Sequence, residues 1–110
     1  MTQPLKIGIL GSGPAGRTLA TGFLAKGHAV MIGSRTPPKL HGWLREAGRQ
    51  AQVGTFAETA QFGELVVLSV NGRAAEDVIR LAGIENLTGK IVLDASDPLD
   101  FSSGRPGLFV

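Results

Sequence analysis

The chain has 110 residues, enough for one domain with a single buried core, and residues 1–110 are read as that one domain. At 43% hydrophobic and 18% charged, with no cysteine, it reads as a globular protein without disulfides or thiolate metal sites. A net charge of +2, with Lys and Arg scattered, leaves no footprint for nucleic acid, and the longest apolar run, Leu65 to Val70, is too short to cross a bilayer.

No secretory apolar region follows Met1, because Lys6 and a glycine turn interrupt the apolar residues, so a cytoplasmic location is expected. Ile7-Gly8-Ile9-Leu10 is a short buried strand that runs directly into Gly11-x-Gly13-x-x-Gly16. That order suits a pyrophosphate turn. The first glycine reverses the chain, the second keeps side chains away from the phosphates, and the third lets the next helix pack on the strand. The free N–H groups at the start of that helix would face the anion. Ala15, Leu19 and Phe23 recur at helical spacing, as do Ala20 and Leu24, until Gly27 stops the helix. Ala29 to Ile32 is a second buried strand, ending at Gly33-Ser34-Arg35.

Pro37-Pro38 breaks regular structure and can start a helix, and Leu40, Trp43, Leu44 and Ala47 then mark a helix that closes at Gly48. Gln52 to Gly54 makes a brief third strand. Thr55-Phe56-Ala57-Glu58 is a capping-box pattern at the start of a short helix. Leu65 to Val70 does not alternate, so both of its faces are expected to be covered, as in a parallel sheet. After an Asn71-Gly72-Arg73 loop, Ala75, Val78, Ile79 and Ala82 mark a further helix closed by Gly83. Asn86 to Lys90 is read as a turn, Ile91 to Asp94 as a fifth strand, and residues 95–110 as loop-like. Five strands joined by helices predict an α/β fold: a Rossmann-type, doubly wound parallel sheet ordered 3-2-1-4-5, with helices on both faces.

In such a sheet the ligand lies across the carboxyl ends of the strands. The candidate cofactor residues are therefore Gly11, Ser12, Gly13, Pro14, Ala15 and Gly16 in the first loop. Ser34, Arg35, Thr36 and Lys39 follow the second strand, Val70 and Asn71 the fourth, and Ala95, Ser96, Asp97 and Pro98 the fifth. Ser12 either contacts the phosphates or is a plain turn residue, and Pro14 suits a first helical turn. The second loop selects the cofactor. An NAD site usually carries an acid there, whereas Ser34, Arg35, Thr36 and Lys39 offer hydroxyls and cations to the 2′-phosphate of NADP. Asn71 could bond the nicotinamide carboxamide, although turn chemistry explains it too, and Asp97 before Pro98 has the same double reading. No nucleophile–base pair or metal-ligand spacing is present, so no catalytic residue is assigned and no metal is expected; the isolated His28 and His41 do not make a metal site. Trp43 reads as core, and His28 as a surface residue favoured by a helix dipole.

Lys6-Ile-Gly-Ile-Leu-Gly-Ser-Gly, Gly27-His28, Ile32-Gly33-Ser34-Arg35 and Asp94-Ala95-Ser96-Asp97-Pro98-Leu99 together resemble the coenzyme F420-dependent NADP oxidoreductase family. The resemblance implies hydride transfer between NADP(H) and a deazaflavin, coenzyme F420, as co-substrate. It would place the pyrophosphate on Gly11 to Gly16 and the 2′-phosphate on Ser34 and Arg35. The Val70-Asn71 and Ser96-Asp97-Pro98 loops would border the nicotinamide. Asn71 stands where that family commonly has Pro, and Asp97 where it commonly has Asn. Family members are also longer, their C-terminal part completing the sheet and the deazaflavin pocket. Two alternatives remain: an FAD-binding domain, since Gly-x-Gly-Pro-Ala-Gly also occurs in flavoproteins, and a non-catalytic dinucleotide sensor. A small-molecule redox substrate is expected in place of nucleic acid or membrane, with a homodimer favoured by the exposed sheet edge.

Overall fold

The structure is a computed structural model that describes residues 3–70 and 72–95. Five strands, β1 (Lys6–Leu10), β2 (Ala29–Gly33), β3 (Ala51–Gly54), β4 (Leu65–Leu68) and β5 (Ile91–Asp94), form one sheet in the order β3-β2-β1-β4-β5. Every pair is parallel, as expected, so all carboxyl ends share one edge. The helices are α1 (Pro14–Ala25), α2 (His41–Ala47), α3 (Phe56–Phe62), α4 (Gly72–Ala82) and α5 (Ile84–Leu87). None of the described helices is long and apolar enough to cross a membrane.

Strand alternation sorts the core into two layers. Ile7, Ile9 and Val67 point to one face with Val30 and Ile32, where they meet Ala20 of α1 and Leu40. Leu10, Val66 and Leu68 point to the other, where they meet Phe56 and Ala60 of α3 and Val78 and Ala82 of α4. Residues such as Ile7, Ile9 and Ile32 are at most 1% exposed, and each contributes roughly 1.5–3 kcal/mol through burial. Trp43 packs half-buried against the first layer, in line with the core expectation.

Four local readings need correction. Strand β4 ends at Leu68, two residues before the apolar run does. Its neighbour β1 ends at Leu10, so the pairing closes with the Ser69 N–H on the Leu10 carbonyl at 2.8 Å. The Pro37-Pro38 segment is a separate 3₁₀ turn, Pro37–Leu40, that leads into α2. Residues 84–87 of the expected connection form the single helical turn α5. Gly83, at φ +92°, breaks it from α4, and the Asn86 side-chain amide bonds the Ala82 carbonyl at 2.7 Å across that break. His28 is half-buried: its ring meets Phe23 edge-on, and Nδ1 accepts the Leu5 N–H at 3.0 Å. His28 is thus a packed side-chain tie to Leu5, the residue before β1, in place of the surface residue expected.

Candidate functional site

The β1–α1 turn has the geometry its three glycines imply, with each one constrained differently. Gly11 adopts φ +133°, and a Cβ on it would lie 2.0 Å from the Ser69 carbonyl oxygen; its N–H is tied to the Gly33 carbonyl at 3.1 Å. At Gly16 a Cβ would lie 2.4 Å from the Gly11 carbonyl oxygen, so α1 starts in close contact with the turn. Gly13 differs. It is exposed, no side chain caps α1 there, and a Cβ would meet nothing within 4 Å. The helix therefore presents uncapped amides to open space, with no acid in its first turn. These are the requirements for seating an anion.

Beside this turn lies a cleft of about 330 Å³. Gly11 and Ser12 form one wall, Ser34, Arg35, Thr36 and Lys39 a second, and Val70 with Ala74 and Val78 of α4 a third. Ser34 is 7% exposed; its Oγ accepts the Thr36 N–H at 3.1 Å, which folds the start of the loop into a side-chain turn. The Ser12 hydroxyl is 3.5 Å from that Oγ, a long contact that leaves both free to reorient toward a ligand. Arg35 and Lys39 are exposed at the rim, and none of the lining residues is acidic. A larger groove of about 450 Å³ between α1 and α2, lined by Trp43 and Glu46 among others, carries neither the glycine turn nor a cationic wall.

Of the candidates read from the sequence, Gly11, Ser12, Ser34, Arg35, Thr36, Lys39 and Val70 come together around the cleft. Gly13, Pro14, Ala15 and Gly16 make the adjoining turn and the start of α1. Ala95 follows β5 at the same sheet edge, but it packs half-buried against the first core layer and does not line the cleft. Asn71, Ser96, Asp97 and Pro98 lie outside the described residues. Sequence reasoning missed Arg17, Leu40, Phe56, Ala74 and Val78. Arg17 had a visible signal: a cation near a helix N-terminus opposes the helix dipole. It lines the cleft, and its Nε–H holds the Ser12 carbonyl at 3.0 Å. Leu40, Phe56 and Val78 also serve the core, so their pattern could not mark them as lining. Among the described residues no group of His, Asp or Glu is placed to hold a metal.

Comparison with known proteins places this geometry in context. The family model described as NADP oxidoreductase, coenzyme F420-dependent, matches residues 6–98. A structure of a candidate F420-dependent NADP-reductase from Arthrobacter sp. FB24 is 39% identical, with a TM-score of 0.78 over 96% of this chain and 50% of that one. A reductive aminase from Aspergillus terreus, solved with NADPH and ethyl-5-oxohexanoate, is 29% identical, with a TM-score of 0.68 over 86% of this chain and 32% of its own. Among curated proteins, metalloreductase STEAP3 of Rattus norvegicus is 35% identical over 95 residues, 86% of this chain and 18% of that protein. The chain thus spans half of the Arthrobacter protein and less than a fifth of the rat one. With the family model covering the whole sheet and the entire cleft wall, the chain belongs to the coenzyme F420-dependent NADP oxidoreductase family.

Proposed function

We propose that this chain is the NADP(H)-binding domain of an oxidoreductase that passes hydride between the nicotinamide and a small-molecule partner, with coenzyme F420 as that partner. The observation that carries the reading is the pairing of an open, uncapped α1 start at Gly13 with a cleft lined by Arg35 and Lys39 and by no acidic residue. When bound, the nicotinamide supplies the hydride chemistry; the protein binds and aligns it. The Gly11–Gly16 turn and the first amides of α1 would hold the diphosphate, with Pro14 and Ala15 shaping that turn. Arg35 would take the 2′-phosphate through paired N–H donors, and Ser34, Thr36, Lys39 and Arg17 would complete a donor set around it. Val70 and Ala95 lie at the ends of β4 and β5, where the nicotinamide end would extend, and Asn71, Ser96, Asp97 and Pro98 belong to the same proposal from the sequence. Neither an FAD domain nor a non-catalytic sensor is favoured. The loop after β2 lacks the acid that flavin sites usually carry, and the relatives are reductases. The deazaflavin assignment rests on the family alone.

The test is titration of the pure protein with NADPH and NADH by calorimetry, followed by Arg35→Asp. Hydrogen bonds to a charged group contribute roughly 1.5–3 kcal/mol each. NADPH affinity should therefore fall about tenfold to a hundredfold while NADH affinity changes little. Equal losses for the two coenzymes would remove the assignment. Mixing protein, NADPH and oxidised deazaflavin, with absorbance followed, then reads whether this chain transfers hydride.

A further inference from the structure

Asp77 does not line the cleft, yet it contacts the cleft's main cation. Its Oδ2 lies 4.0 Å from the Arg35 guanidinium, and its Oδ1 accepts from the guanidinium of Arg80, one turn further along α4. Its neighbours on α4, Ala74 and Val78, form part of the cleft wall, so Asp77 sits where that wall meets the rim. One carboxylate is thus shared between two arginines, and only one of the two faces the cleft.

We infer that Asp77 sets the coenzyme preference of this site by competing with the 2′-phosphate for Arg35. The inference rests on the reading of Arg35 as the ligand for that phosphate. Asp77 engages the guanidinium from the α4 side, and an incoming phosphate has to draw it away. Arg80 lowers the cost of the exchange, because Asp77 keeps a cationic partner once Arg35 has turned into the cleft. NADH, which lacks the 2′-phosphate, has no reason to displace Arg35 and escapes the competition. Asp77 therefore reduces the margin by which NADPH is preferred. The side chains of Arg35 and Asp77 are 57% and 54% exposed, so the effect is that of a solvated pair, modest and sensitive to salt.

The test compares NADPH and NADH dissociation constants for the wild type, Asp77→Asn, Asp77→Glu, Arg35→Ala and the double variant Arg35→Ala/Asp77→Asn. At low ionic strength Asp77→Asn should tighten NADPH binding about two- to fivefold, the range an exposed pair supports. It should leave NADH unchanged, and the gain should shrink as salt is added. Asp77→Glu, which keeps the competing charge, should behave as wild type. In the Arg35→Ala background Asp77→Asn should be silent, because the group competed for is gone. Weaker NADPH binding in Asp77→Asn, an equal change for both coenzymes, or a gain that persists without Arg35 would each overturn the competition. If Arg35→Ala binds NADPH as tightly as wild type, the phosphate role of Arg35 falls first and this inference with it. A thermal melt of each variant without nucleotide separates these outcomes from misfolding.

Discussion

A methyl group placed on Gly13 would meet nothing within 4 Å, and the backbone there, at φ −75°, is open to any L-residue. One placed on Gly11 would overlap the Ser69 carbonyl at a φ of +133°. The two positions therefore separate folding from binding. Gly13→Ala should unfold within about 0.5 kcal/mol of wild type, yet lose roughly tenfold or more in NADPH affinity, because the methyl group occupies the space over the uncapped amides. Gly11→Ala should instead cost about 2–4 kcal/mol of stability. Urea unfolding and calorimetry read the two effects independently, and a Gly13→Ala variant that binds NADPH as wild type would show that no diphosphate sits there. The glycine spacing and the missing acid after β2 were legible in the sequence because backbone approach and charge selection are carried by single residue types. Arg17 was legible only as a cation set against the dipole at the start of α1; its hold on the Ser12 carbonyl was not. Asp77 was invisible because its role depends on α4 crossing to the β2 loop, a contact that no local spacing encodes.

Helix α3 shows how an element is held by both local and distant chemistry. Its start was written in the sequence: the Thr55 hydroxyl accepts the Glu58 N–H at 3.1 Å, and the Glu58 carboxylate accepts the Thr55 N–H at 2.8 Å. Thr55→Ala removes half of this box and should lower stability by about 1 kcal/mol in urea unfolding. How closely α3 packs was not legible. A Cβ on Gly8 of β1 would lie 2.4 Å from the Thr59 carbonyl oxygen, and one on Gly33 of β2 would lie 2.7 Å from the Thr59 hydroxyl. Two glycines that read as ordinary strand residues thus let the helix sink onto the sheet. Thr59 is completely buried there, and its hydroxyl has no hydrogen-bond partner. A buried hydroxyl left unpaired costs about 1–3 kcal/mol, and valine has nearly the same shape without the polar atom. Thr59→Val should therefore raise stability by about 1 kcal/mol, or about 4–8 °C in melting temperature for a domain of this size. A lower melting temperature would mean that the hydroxyl does find a partner.

At the scale of the whole molecule the sheet is unevenly covered. The edge strand β3 is short, and Ala51 and Gly54 in it are buried. Among the described residues the opposite edge, β5, leaves Ile91 at 67%, Val92 at 41% and Leu93 at 50% exposure. Leu81 and Ile84, at the α4–α5 junction, add 50% and 71%. Ile91 to Asp94 was legible as a fifth strand, and the strand order and pairing agree. An apolar edge of this kind invites pairing with another chain, and we propose that copies of this chain associate there. Sedimentation should then show a mass that rises with protein concentration. Ile91→Lys, which puts a charge at the exposed start of β5, should hold the chain monomeric. Ile91 begins β5, at the end of the sheet opposite the glycine turn, so the same variant should bind NADPH as wild type. A monomer at every concentration, or association unchanged by the lysine, would mean that β5 is not the contact.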